Sequence, residues 1–178
     1  SLMGANIEFK EENNKSVIFL NNEDVTEELR SMYISEKVSI VSAVSVVRKA
    51  LVLAQQSFGE NQNVVMDGRD IGTNVFPSAT VKFFMTAAKE KRAERRFSEL
   101  KLKSHFVTYE EVFLNLQKRD HDDTTRLESP LTCADDAIII DNSNLTVDEQ
   151  FLFAMDSITK LITAKQITIQ AMPVNVVD

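Results

Sequence analysis

The sequence predicts an α/β domain of 178 residues carrying a small β-hairpin insert. Three observations carry that prediction. Short β-prone apolar runs at 64–66, 81–86 and 137–141 alternate with long helix-like stretches, the pattern of strands joined by crossover helices. The first run ends in Asp67-Gly68-Arg69-Asp70-Ile71-Gly72-Thr73, so charged and small residues sit beyond the carboxyl end of a strand, where open α/β sheets bind ligands. Two further β-prone runs, 6–9 and 16–20, flank the polar stretch 10–15, as an antiparallel hairpin does.

Composition narrows the function. Against 27 acidic residues stand 20 basic ones, a net charge of -7, which argues against a general nucleic-acid binder because phosphate backbones require a basic face. The lone Cys133 excludes an intramolecular disulfide. With no signal-like start and no long apolar run, the expected setting is the cytoplasm rather than a membrane. Cys133 is expected to be a small buried residue. His105 and His121 have no cysteine partners and are not expected to form a zinc site. The four glycines include no G-x-x-x-x-G-K-[ST] pattern, so these residues make no phosphate cradle of that type.

Along the chain, Ser1-Leu2 ahead of Met3-Gly4 reads as a cloning remnant. Past the hairpin, Asp24 or Thr26 caps a helical stretch. Residues 35–58 read as helical, with Val38, Val41, Val44, Val47, Leu51 and Leu53 as an approximate apolar stripe. Beyond Phe76-Pro77 comes the strand 81–86, with Lys82 a polar interruption, and then the charged helix 89–103. In that helix Arg92 shares a face with Arg95 or Arg96. Thr108 and Glu111 form a capping box for a helix over 108–120. If helical structure continues, Arg119, Asp123 and Arg126, at i, i+4 and i+7, lie along one face. A third strand at 137–141 and a closing helix at 146–165 lead to the tail 166–178, read as a short strand or a packed extension.

An arginine held between Asp67 and Asp70 is aimed at a phosphate or a planar base edge, since its fork of donors suits bidentate partners. The plain alternative is a surface turn with local ion pairs. Asp120, Asp122 and Asp123 are a weaker candidate for a metal cluster, because consecutive carboxylates repel into solvent.

DGRDIGT followed by VFP, with RAERR, RDHDDTTR and SPL-x-x-ADDA downstream in order, resembles the bacterial cytidylate kinases, which phosphorylate CMP and dCMP from ATP. The likeness runs from about residue 16 to about residue 161. It implies a P-loop nucleoside monophosphate kinase fold: a parallel sheet flanked by helices, a CMP-binding insert with its helices over 4–60, and a kinase core over 61–165 with a lid around 92–127. The tail 166–178 has no counterpart. By the same resemblance Ser39 and Arg48 contact the cytosine and Asp70 buttresses Arg48. Arg69 and Arg126 clamp the acceptor phosphate, Arg119 with Asp123 faces the ribose, and the lid arginines Arg95 and Arg96 join Arg119 and Arg126 around the transferring phosphoryl group. Mg2+ travels with ATP rather than on dedicated protein ligands. Relatives that carry arginines in place of Asp122 and Thr124 imply a weaker lid grip here.

One departure is large. The family begins with a strand and a glycine-rich phosphate loop, and this sequence has neither, so the strand between those at 64 and 81 is expected to be missing. Each backbone group left buried and unpaired there costs about 1–3 kcal/mol. The chain is therefore expected to be a fragment, inactive alone, or to fill the gap by strand exchange in a homo-oligomer. A CMP-binding module without catalysis, or a structural domain derived from the fold, stands as the alternative.

Overall fold

A computed structural model describes residues 4, 6–12, 15–29, 31–102, 106–164 and 174–177. Ser1-Leu2, Met3, His105 and the first part of the tail lie outside the described residues.

The expected hairpin forms from β1 (Ile7–Glu12) and β2 (Lys15–Leu20), antiparallel with Ile7 opposite Leu20 and Glu12 opposite Lys15. A third strand, β3 (Glu23–Asp24), joins them through a two-residue turn in which Asn21 and Asn22 have φ of 51° and 68°. Asparagine tolerates that left-handed backbone, and paired positive φ values match the twist of a tight hairpin. Asp24 then caps α1 (Thr26–Leu29), accepting from the Thr26 N–H at 2.9 Å.

The helical stretch expected over 35–58 is two helices, α2 (Met32–Ser42) and α3 (Ser45–Phe58), broken at Val44, which is extended at φ -76°, ψ 114°. The reason lies in the spacing. Apolar residues at 38, 41, 44 and 47 recur every third residue, and on a helix of 3.6 residues per turn such a row winds steadily off one face. The break divides it between two axes.

The parallel strands come as two pairs. β4 (Asn63–Met66) pairs with β7 (Val174–Val177), and β5 (Phe83–Thr86) pairs with β6 (Ile138–Asp141). The tail thus supplies a parallel strand to β4, a fourth beyond the three read from sequence. Among the described residues no ladder joins β4 to β5, and Val65, Met85 and Ile139 are exposed, although parallel strands are ordinarily covered on both faces. Cys133, expected in the core, is exposed, because it lies in the irregular segment between the helix over Tyr109–Thr125 and β6.

Two long helices, α4 (Lys89–Leu102) and α5 (Tyr109–Thr125), form the arm that carries most of the site. Contacts that join Phe97 to Tyr109 and Arg92 to Asp120 show them running antiparallel. Ala93, Leu100 and Val112 are buried, and Phe97 meets Tyr109 edge-on with ring centroids 6.1 Å apart. Thr108 and Glu111 complete the expected capping box, and Thr146 and Glu149 repeat its bonds ahead of α6 (Val147–Ala164).

Leu100→Ala is expected to lower the unfolding free energy by about 2–5 kcal/mol in a urea titration, because Leu100 is fully buried and its truncation leaves a cavity. Backbone and side-chain hydrogen bonds from Thr108 and Thr146 hold the Glu111 and Glu149 carboxyls below the ordinary glutamate value of 4.5. A carboxyl depressed in the folded state stabilises above its unfolded pKa and loses that contribution as pH falls through its folded pKa. Glu111→Gln with Glu149→Gln should therefore flatten the acid limb of melting temperature against pH below 4.5, and an unchanged limb would contradict this account.

Candidate anion-binding site

The site begins at the end of β4. The chain leaves Met66, passes Asp67 to Asp70 and enters a π turn, Ile71–Val75, in which the Phe76 N–H donates to the Ile71 carbonyl at 2.7 Å. Single π turns often mark functional positions. Neither Gly68 nor Gly72 needs a positive φ. What Gly68 supplies is space: a Cβ there would meet Ile71 Cγ1 at 2.9 Å. Gln56 of α3 ties the turn down, its Nε2 donating to the Val75 carbonyl at 3.0 Å.

That turn presents the buried Asp70. Its Oδ2 accepts from Asn74 Nδ2 at 3.1 Å, and its Oδ1 stands 2.9 Å from Nη2 of Arg48, which comes from α3. The Arg48 contact is an ion pair by distance but lacks hydrogen-bond alignment, and Nε of the nearly buried Arg48 is a buried donor with no hydrogen-bond partner among the described residues.

Asp123, near the end of α5 and only 3% exposed, is the second buried carboxylate. Three arginines surround it. Arg69 Nε donates to its Oδ2 at 3.0 Å, Arg126 Nη1 to its Oδ1 at 3.3 Å, and Arg119 Nε lies 3.8 Å from Oδ2. Arg126 does not extend the helical row anticipated from the spacing. It is the C-cap, extended at φ -62°, ψ 146°, and its side chain turns back to Asp123 while Nε donates to the Ser129 carbonyl at 2.7 Å. Nη2 of Arg126 is a further buried donor with no hydrogen-bond partner among the described residues.

Burial, then repulsion from Arg69, pushes the Arg119 guanidinium below its usual range, with Asp123 opposing. For Arg126 burial again comes first, followed by the charge of Arg48, with Asp123 and Asp70 opposing. Arg69 thus acts on both Arg119 and Arg126, and Arg48 on Arg126, while Asp123 contacts Arg69, Arg119 and Arg126 and Asp70 contacts Arg48. Four guanidiniums against the two carboxylates Asp70 and Asp123 leave a formal surplus of two positive charges. A phosphate monoester carries about -1.5 to -2 at neutral pH. Beside Arg119 opens a cleft of about 420 Å³, with Arg96 and Asn115 among its polar lining and Leu29, Ile34, Val38 and Leu116 supplying apolar surface.

Other expected residues sit differently. Arg95 commits its fork to Asn142 beyond β6, with Nη1 to Oδ1 at 2.9 Å and Nη2 to the carbonyl at 2.6 Å. Arg96 pairs with Glu99 at 2.7 Å. Ser39 lies in α2, and its side chain is outside the described residues. Among the described residues no group of three His, Cys, Asp or Glu is arranged to hold a metal ion. Asp120 is taken by Arg92 and Asp123 by its three arginines. Sequence reasoning missed Asn74, Gln56 and Ser129. Of these only Asn74, four residues after Asp70, had a readable signal in its spacing.

Asp123→Ala leaves three guanidiniums without their shared counter-ion and is expected to cost about 3–5 kcal/mol in urea unfolding. Inorganic phosphate should restore part of the loss, measured as a rise in melting temperature larger than the same salt gives the unmodified chain.

The profile of the cytidylate kinase family matches residues 2–163. The chain is 49% identical over 144 residues to a cytidylate kinase of Flavobacterium psychrophilum, covering 81% of this chain and 64% of that protein. Against the cytidylate kinase of Caldanaerobacter subterraneus the figures are 53% over 132 residues, 74% and 59%. Against that of Fusobacterium nucleatum they are 46% over 143 residues, 80% and 66%. The aligned stretch thus spans less than two thirds of the length of each of these relatives. The family implies an α/β nucleoside monophosphate kinase fold, and by the extent of the match this chain belongs to the cytidylate kinase family.

Proposed function

We propose that these residues form the acceptor half of a cytidylate kinase, which transfers the γ-phosphoryl group of ATP to CMP or dCMP and yields ADP with CDP or dCDP. The observation that carries this reading is the buried cluster of four arginines on two carboxylates, with a surplus of two charges and donors left over on Arg48 and Arg126. A dianionic phosphate satisfies both the surplus and the donors.

In this reading a nonbridging oxygen of the CMP phosphate attacks the γ-phosphorus in line, the bond from that phosphorus to the bridging oxygen of ADP breaks, and no protein nucleophile intervenes. Arg69 and Arg126 clamp the acceptor phosphate, and their charge offsets what develops on the transferring group. Arg119 and Asp123 face the ribose. Ser39 and Arg48 read the cytosine, with Asp70 and Asn74 holding Arg48 in place. Arg95 and Arg96 act from the lid, and Arg95 must first release Asn142. Mg2+, carried on the ATP phosphates, adds charge neutralisation there. Residues 4–60 serve as the CMP-binding insert and 61–165 as the kinase core.

The sequence offers no glycine-rich phosphate loop, and that no ladder joins β4 to β5 among the described residues supports a sheet completed by the strand that leads into such a loop. Taken alone, then, these residues act as a CMP-binding module. Calorimetry should show CMP binding, while coupled ADP release with CMP and MgATP stays near background; a robust turnover would refute the requirement for the loop. Arg69→Ala should weaken CMP binding by about 1.5–3 kcal/mol, the range for a hydrogen bond to a charged group. Unchanged affinity would remove Arg69 from the site.

A further inference from the structure

Arg92 takes no part in the cluster around Asp123, yet it makes a two-point fork across the arm. From α4 its Nη1 donates to Asp120 Oδ1 at 2.9 Å and its Nη2 to Oδ2 at 2.5 Å. Both side chains are partly buried, at 34% and 25% exposure. Asp120 follows Arg119 directly and precedes Asp123 by one turn. Its charge is among those that act on Arg119.

On a helix that advances 100° per residue, Arg119 and Asp123 stand about 40° apart, and Asp120 lies about 60° beyond Asp123. Fixing Asp120 therefore fixes the roll of α5 at the level where the two site residues project. Side-chain tips ride roughly 5–6 Å from the axis, so a roll of about 20° carries them about 2 Å. Displacements of about 1 Å are enough to degrade a positioned site. The apolar contacts of the arm do not substitute for this restraint. Val112 and the Phe97–Tyr109 pair lie about two to three turns of α5 before Arg119, whereas the fork sets both distance and direction at its level. Arg48 and Asp70 are braced separately, through α3 and the π turn.

We propose that Arg92 is a positioning residue, which through Asp120 sets the rotation of α5 that brings Arg119 and Asp123 to bear on a nucleoside monophosphate. The inference rests on the acceptor-site reading above and adds to it a residue outside the binding cluster.

A double-mutant cycle read by CMP calorimetry tests it. Arg92→Ala should weaken CMP binding about tenfold. In an Arg119→Ala background the same substitution should cost clearly less, about threefold, since only Asp123 is left to be displaced, and in an Arg48→Ala background it should keep its full effect. General loosening of the fold would add equally in both backgrounds. Arg92→Lys, which keeps the charge and loses the fork, should fall between Arg92→Ala and the unmodified chain. A ligand-free readout runs beside it: in arginine Nε–Hε NMR spectra, Arg92→Ala should shift the Arg119 resonance and leave that of Arg48 in place. Unaltered CMP affinity in Arg92→Ala, equal penalties in the two backgrounds, or an unmoved Arg119 resonance would overturn the proposal. Failure of the unmodified chain to bind CMP would instead sink the acceptor-site reading, while the Arg119 resonance still decides whether Arg92 positions it.

Discussion

The carboxylate of Asp123 is the constraint on which the site depends. It is buried, and a buried charge persists only when paired. Three guanidiniums answer it from three places: Arg69 after β4, Arg119 on the same helix, and Arg126 at the helix end. One carboxylate cannot neutralise three cations, so the arrangement that solves the burial of Asp123 creates an excess of positive charge. The carboxyl terminus of α5 moderates that excess, because the partial negative charge of a helix end favours nearby cations. Arg119 and Arg126 both lie in or just beyond the last two turns.

The neighbouring pair solves a different problem. Asp70 is held by Asn74 across the π turn and by Arg48 from α3, so its carboxylate is fixed before any ligand arrives. Arg48 is held too, through Nη2 on Asp70, while its buried Nε has no hydrogen-bond partner among the described residues. A side chain held by an ion pair and keeping a spare donor needs little further ordering to meet a partner. The two carboxylates thus divide their work: Asp70 orients one arginine, and Asp123 gathers several.

How far the sequence revealed this depends on the range of the interaction. The hairpin, the strand at 64–66, and the capping box of Thr108 and Glu111 are local patterns, and they lie where the residues placed them. Convergence of Arg119 with Asp123 was also readable, since i, i+4 spacing is a property of one helix. Arg126 reached the same carboxylate by another route, because the backbone leaves the helix and Ser129 adopts a φ of 48°; side-chain reach made up for a wrong backbone path. Arg95 and the β4–β7 pairing were not readable at all. The partner of Arg95 lies 47 positions away and the partner strand of β4 more than a hundred, and no local propensity encodes such distances. Cys133 failed for a related reason: residue type gives an average burial, while exposure follows from the irregular segment it occupies.

Core and site share their scaffold. Of the five buried apolar residues among those described, Ala93 and Leu100 lie on α4, Val112 on α5, Val75 in the π turn that follows Asp70, and Ile140 in β6. The apolar packing therefore concentrates in the elements that carry the arginines, while much of α2, α3 and α6 keeps large apolar side chains exposed. A ligand that satisfies the spare charge binds only the folded arm, and by mass action its binding free energy adds to the stability of that arm. On the acceptor-site reading, packing holds α5 in place, the cluster gathers like charges from α3, the turn after β4 and the end of α5, and a bound phosphate would offset their repulsion. In that reading binding and folding form one coupled equilibrium, in which a phosphate would relieve the repulsion among Arg48, Arg69, Arg119 and Arg126.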